Sequence, residues 1–129
     1  MKQEEKQLLF RDLCARLPYG VKVKIKNIIQ PQRLHWSHLS DEKDWDLPNP
    51  YLRPLSSMTK TEIEELKELT GTDAVKQYGF SYSGLISECF GMMYDDCSTI
   101  VDYLNAHHFD YRGLIPMGLA LEATEDMYD

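Results

Sequence analysis

Residues 21–26 form the most constraining feature of the chain, because apolar and basic side chains alternate strictly along them. A β-strand places successive side chains on opposite faces, so a period of two predicts a strand with one apolar face and one lysine face. A short sheet needs a cover for its apolar face. The apolar positions are Val21, Val23 and Ile25, and the basic positions are Lys22, Lys24 and Lys26.

An amphipathic helix is predicted immediately before this strand, over residues 3–17. Its apolar residues fall at helical spacing, its first turn is acidic, and Arg16 lies near its end. Pro18 disfavours helical geometry at the residue before it, and Gly20 permits a turn, so we expect the helix to end there. After a break at Asn27, residues 28–29 are expected to extend the strand.

A second helix is predicted after Thr59, where the local pattern is explicit. Thr59 and Glu62 have the spacing of a capping box, and Met58 and Ile63 that of a hydrophobic staple. Gly71 provides a stop.

A third helix is predicted over residues 96–108, where apolar residues and His108 share one stripe. Residues 73–94 fit either strands or a broken helix. We therefore expect an α+β domain over residues 1–122, with an N-terminal helix, a small antiparallel sheet and two later helices packed on it. The acidic residues 123–129 are expected to form a flexible tail.

The composition is that of a soluble globular protein, with 129 residues and 43% hydrophobic residues. The chain start lacks the apolar segment of a secretory signal, and no apolar run approaches bilayer length. Three cysteines without a CxxC pair indicate reduced, buried thiols, so we expect a cytoplasmic protein.

The net charge of −7 is divided unevenly. Residues 1–40 hold eight Lys or Arg against three acids, and the remainder holds six against eighteen. A basic N-terminal part can meet an acidic partner, or it can neutralise the acidic part of the chain, which we favour. The lysine face can bind phosphates, or it can be a solvated face that prevents aggregation.

Prolines exclude a long helix from residues 30–57, although Tyr51 and Leu52 fit a short strand. A long irregular segment is a candidate binding surface, and this one contains residue types that anchor interfaces. Alternatively, its tryptophans cover the core. The candidates are Trp36, Trp45, Tyr51, Arg33 and Arg53.

Residues 107–112 (HHFDYR) are the segment richest in functional side chains. We interpret it mainly as a structural corner at a helix end, with His107, His108, Asp110 and Arg112 as binding candidates. The alternative is a small metal-dependent or acid–base enzyme that uses His107, His108 and Asp110. A weaker metal candidate is the pair His35 and His38, with Asp41 or Asp44.

Three motifs together resemble a family of small uncharacterised proteins that recur in gut-bacterial genomes, prophages and phages. They are residues 13–21 (LCARLPYGV), 51–59 (YLRPLSSMT) and 103–115 (YLNAHHFDYRGLI), about a quarter of the chain. The resemblance implies a mobile-element origin and no particular mechanism.

No nucleotide-binding loop, HExxH motif, nucleophile elbow or RNA-binding pattern is present. We therefore predict a non-enzymatic interaction module with no cofactor, no metal and no catalytic residue. Its expected partner is another protein, with a second copy of the chain included, and not a membrane. Nucleic-acid binding through Lys22, Lys24 and Lys26 is a second alternative, which the acidic net charge disfavours.

Overall fold

The computed structural model describes residues 2–39, 47–70 and 94–128. They divide into two compact units: unit 1 comprises Met1–Arg53 and Leu114–Asp129, and unit 2 comprises Pro54–Gly113. Helices and strands are both present, which confirms the predicted α+β class. The strands are β1 (Lys22–Lys24), β2 (Gln32–Arg33), β3 (Asn49–Pro54), β4 (Phe109–Asp110) and β5 (Leu121–Glu122).

Helix α1 (Gln3–Arg16) begins unit 1 and ends where the sequence predicts. A 3₁₀ turn, Leu17–Tyr19, follows it, and Gly20 adopts a φ of 71°, in the left-handed region that glycine favours. Leu9 and Leu13 are fully buried, as the stripe predicts. Cys14 is exposed, so the prediction of buried thiols is wrong for this residue, which falls at the edge of the apolar stripe.

The sheet of unit 1 has β1 between β2 and β3. β1 is antiparallel to both neighbours: Lys22 lies opposite Arg33 in β2, and Val23 lies opposite Pro50 in β3. β5 pairs with β3 in parallel, with Tyr51 opposite Leu121. The expected antiparallel sheet is therefore mixed. A parallel partner from the far end of the chain brings the C-terminal residues of unit 1 alongside β3.

The alternating strand predicted over residues 21–26 is confirmed for Lys22–Lys24, while Lys26 lies in a turn and the expected extension at residues 28–29 is wrong. Val21 and Val23 are fully buried, whereas Lys24 and Lys26 are exposed. Asn27 takes a φ of 69°, which extended chain cannot accommodate, so the backbone turns there. Ile29 consequently lies 95% exposed in the connection between β1 and β2.

The core of unit 1 packs α1 against the apolar side of β1 and β3 and against the C-terminal segment. The fully buried side chains of Asp12 and Arg16 form an ion pair, with an Nε–Oδ2 distance of 2.8 Å. The buried apolar members are Leu9, Leu13, Val21, Val23, Leu34, Leu52, Leu114, Leu119 and Ala120.

Unit 2 contains helices α2 (Lys60–Thr70) and α3 (Tyr94–Ala106), which pack against each other. The capping box before α2 is confirmed in both directions. The Thr59 backbone N–H donates to Glu62 Oε1 at 3.0 Å, and the Glu62 N–H donates to Thr59 Oγ1 at 3.2 Å. Met58 is buried and Ile63 packs against the same apolar cluster, as the staple predicts.

Helix α3 confirms the third predicted helix but ends at Ala106, two residues earlier than predicted. His107 and His108 therefore follow the helix, and the prediction that they lie on it is wrong. His108 adopts a φ of 63°, which stops the helical hydrogen bonding and turns the chain into β4. Of the ambiguous segment 73–94, all but Tyr94 lies outside the described residues, as do Gly71 and Cys89.

The acidic segment after residue 122 takes part in the packing of unit 1, although we expected a flexible tail. The Ala123 N–H donates to the Leu52 carbonyl at 2.8 Å, which continues the pairing of β5 with β3. Tyr128 is half-buried and packs against the core of unit 1. A domain boundary at residue 122 stays a prediction.

Candidate functional site

The candidate binding residues fall in both units. Unit 1 contains Trp36, Tyr51 and Arg53. Trp45 lies outside the described residues. Unit 2 contains the candidates of the HHFDYR segment, namely His107, His108, Asp110 and Arg112.

Trp36 is the most exposed aromatic side chain among the described residues, at 64% of its full accessible surface. It begins a 3₁₀ turn, Trp36–Leu39, that follows β2. The alternative that this tryptophan covers the core is therefore wrong. An exposed indole places a large apolar surface and one N–H donor in contact with solvent, which is the chemistry of an interface anchor.

The turn that carries Trp36 is held by two imidazoles. The His35 backbone N–H donates to His38 Nδ1 at 2.9 Å, and the Ser37 backbone N–H donates to His35 Nδ1 at 3.2 Å. Ser37 Oγ also lies 2.9 Å from His35 Nδ1. The three rings are neighbours, with centroids 5.4 Å apart for His35 and Trp36 and 6.2 Å apart for His35 and His38.

These hydrogen bonds assign the tautomer of both rings. A ring nitrogen that accepts a backbone N–H carries no proton, so in the neutral imidazole the proton is on Nε2. The desolvation of His38, together with the charge of His35, lowers the pKa of His38 from its ordinary value. In this arrangement neither His35 nor His38 has a free nitrogen lone pair for a metal, because Nδ1 accepts a backbone N–H and Nε2 is protonated. The carboxylates predicted to complete that site, Asp41 and Asp44, lie outside the described residues.

The lysine face of β1 is partly covered by the C-terminal segment. Lys22 Nζ donates to the Met127 carbonyl at 2.6 Å and lies 5.8 Å from the centroid of the Tyr128 ring. Lys24 and Lys26 are exposed. The three lysines therefore do not form a uniform solvated stripe. Sequence reasoning did not identify Met127 or Tyr128, because nothing local links residues that are 105 positions apart.

Tyr51 takes part through its backbone. Its carbonyl accepts a hydrogen bond from the Tyr128 hydroxyl at 2.6 Å, and that hydroxyl in turn accepts the Lys22 backbone N–H at 2.9 Å. Burial raises the pKa of Tyr128 to about 12, with the Lys22 hydrogen bond and the nearby Arg16 charge acting in the opposite direction. Tyr128 thus joins β1 to β3. Arg53 is half-buried.

In unit 2, His107 forms a cluster with residues of both helices. Its ring stacks on Tyr103 with centroids 4.1 Å apart, and its Nδ1 lies 3.4 Å from Glu62 Oε2. The Tyr103 hydroxyl donates to Glu65 Oε2 at 2.8 Å. Sequence reasoning assigned Glu62 only a capping role and gave Tyr103 no functional role, although the spacing of four between Tyr103 and His107 indicates that they can contact each other on a helix.

The remaining HHFDYR side chains are positioned by packing. His108 and Asp110 are both 8% exposed. The Arg112 guanidinium lies 4.6 Å from the Tyr111 ring centroid, and the Tyr111 hydroxyl donates to Asn105 Oδ1 at 2.8 Å. These contacts favour the interpretation of the segment as a corner that ends α3, because each stabilises the turn after the helix.

Within residues 2–39, 47–70 and 94–128, no group of three or more His, Cys, Asp or Glu side chains is placed to hold a metal ion. Among the helices that the structure describes, none has the length and apolar character needed to span a bilayer. No family model, curated protein or solved structure matches this chain.

Proposed function

We propose that the protein is a non-enzymatic interaction module that binds another protein through Trp36. The observation that supports this proposal is the 64% exposure of the Trp36 indole on a turn held by its own side chains. Tryptophan is enriched among the residues that dominate binding energy. A single anchor of this kind commonly contributes 2 kcal/mol or more, on the order of a thirtyfold change in affinity.

Pre-organisation supports the same conclusion. An anchor that is ordered before binding loses less conformational entropy when it binds, so more of its contact energy appears as affinity. Backbone N–H groups of His35 and Ser37 are already paired with imidazole nitrogens within the turn. A loop that merely connected β2 to the next element would not need this local network.

The Trp36 turn lies in the basic part of the chain. The first forty residues have five more basic than acidic side chains, and they include the Trp36 turn, whereas the rest of the chain is acidic. We further propose a cytoplasmic protein of phage or mobile-element origin, on the basis of the three motifs described above.

Site-specific photocrosslinking tests this proposal. A photoreactive aromatic amino acid at position 36 should yield one reproducible crosslinked product in producing cells, and Trp36→Ala should reduce the affinity of the purified complex by about thirtyfold. Ile29 offers the matched control, because it is 95% exposed in unit 1 and lies on a different loop. The proposal fails if position 29 gives the same product as position 36, or if neither gives any.

Nucleic-acid binding through the lysine face is the second candidate, supported by the exposure of Lys24 and Lys26. It is weaker because the Lys22 ammonium already contacts the Met127 carbonyl. Binding to duplex DNA that falls steeply with salt and is abolished by K24E and K26E would favour it over the Trp36 proposal.

A further inference from the structure

The turn that presents Trp36 contains two acceptors that a proton would remove. His35 Nδ1 accepts the Ser37 N–H, and His38 Nδ1 accepts the His35 N–H. In a neutral imidazole whose Nε2 carries the proton, Nδ1 is the only site where a second proton can bind. Protonation therefore replaces an acceptor with a donor that faces a backbone N–H.

We infer that this turn is a pH-sensitive switch, closed around Trp36 when the His38 imidazole is neutral and opened when His38 Nδ1 takes up a proton. The inference deepens the proposed function, because it describes how presentation of the same anchor is regulated. The pH dependence of the turn itself does not require a partner. Only the consequence for binding rests on the proposed function.

Few groups contact these rings from the part of the chain that the structure describes. His35 faces the Ser37 N–H and hydroxyl, the Trp36 indole and the His38 ring. His38 faces the His35 N–H and the His35 ring, which is the charged group that acts on it.

The direction of the pH effect follows from this geometry. In the closed turn, desolvation and the His35 charge hold the pKa of His38 below its ordinary value of 6.5, whereas in the open turn the ring regains that ordinary pKa. The closed population is therefore complete above that pH and falls as the solution becomes more acidic. Loss of one hydrogen bond of ordinary net strength corresponds to about a fivefold change in the equilibrium.

Asparagine provides a non-titrating version of the closed turn. Asparagine Oδ1 is bonded to Cγ, as histidine Nδ1 is. At position 35 it would accept the backbone N–H of Ser37 in an ordinary Asx turn. The variant H35N/H38N should therefore stay closed from pH 8 to pH 5. H38A lacks the acceptor for the His35 N–H and should be open across the same range.

NMR titration of the full chain, with ¹⁵N-labelled imidazoles and amides, tests the switch. In the wild type, Nδ1 should be the unprotonated nitrogen at pH 8, and hydrogen-exchange protection of the His35 and Ser37 amides, corrected for intrinsic rates, should fall about fivefold by pH 5. H35N/H38N should show no such fall. A proton on His38 Nδ1 at pH 8, or amides that do not respond while the His38 ring titrates, would overturn the inference.

Crosslinking from position 36 at pH 7.5 and pH 5.5 then separates the two proposals. The expected yield falls in acid on the wild-type background and stays constant on the H35N/H38N background. A yield that is equal at both pH values on the wild-type background, despite switching amides, refutes the regulatory inference. No product at either pH, with amides that switch, refutes the Trp36 binding proposal and leaves the switch supported.

Discussion

The Tyr128 hydroxyl joins β1 to β3 within unit 1, and Tyr128→Phe removes this contact without changing the ring. The hydroxyl accepts the Lys22 N–H at 2.9 Å and donates to the Tyr51 carbonyl at 2.6 Å. At about 1 kcal/mol net for each hydrogen bond, we expect the free energy of unfolding to fall by about 2 kcal/mol. For a chain of this size, that corresponds to a decrease in Tm of about 8 °C.

Urea denaturation followed by far-UV circular dichroism measures this change directly. Tyr19→Phe is the control, because Tyr19 is 37% exposed and removal of its hydroxyl should change the free energy of unfolding by less than about 0.5 kcal/mol. If Tyr128→Phe and Tyr19→Phe have equal effects, the C-terminal residues do not contribute to the stability of unit 1 as the hydrogen bonds require.

The remaining predictions concern alkaline pH and three single substitutions. Folding raises the pKa of Tyr128 to about 12 from about 10 in the unfolded chain. The stabilising effect of the protonated hydroxyl is therefore complete below pH 10 and is lost as the pH rises towards 12. The difference in free energy of unfolding between wild type and Y128F should shrink over that range. Asp12→Ala should cost about 3–5 kcal/mol in urea denaturation, because Arg16 loses the carboxylate that it contacts at zero exposure; an effect below 1 kcal/mol would contradict this. Thr59→Ala should cost about 1 kcal/mol by the same assay and Thr59→Ser almost nothing, since only alanine removes the oxygen that caps α2; equal effects would exclude the cap as the cause. Gly113→Ala should lower Tm by a few degrees through backbone strain of about 1 kcal/mol, because Gly113 has a φ of 75° with no atom within 4 Å of an added Cβ; an unchanged Tm would contradict the assigned backbone.

The sequence predicts that residues 107–112 form a corner at the end of α3, but it places the end of the helix two residues too late. His108 shares the stripe of α3 by spacing, and it is indeed 8% exposed, yet its φ of 63° places it beyond the helix. A hydrophobic period reports which side chains are buried and does not report backbone conformation. Only the packing of the turn decides that a non-glycine residue occupies the left-handed region.

The candidate site shows the same limit. The residue types of the middle segment predicted an interface anchor. They did not distinguish an exposed Trp36 from one that covers the core, because the same sequence is compatible with both placements. The His35 and His38 pair was interpreted as a metal candidate from its spacing of three. Hydrogen bonds to Nδ1 change that interpretation, because they decide which nitrogen carries the proton.

Elements that are encoded by residues within about four positions of one another could be predicted from the sequence alone. Three features are of this kind: the end of α1 at Pro18 and Gly20, the capping box of α2 and the apolar face of β1. Each depends on interactions between residues close in sequence, so it does not require a particular tertiary fold. The parallel pairing of β5 with β3 and the hydrogen bond from Tyr128 to Tyr51 join residues about 70 or more positions apart. Bringing such distant residues together costs chain entropy, which only the packing of many residues offsets. These contacts were therefore decided by the tertiary structure and could not be derived from the sequence.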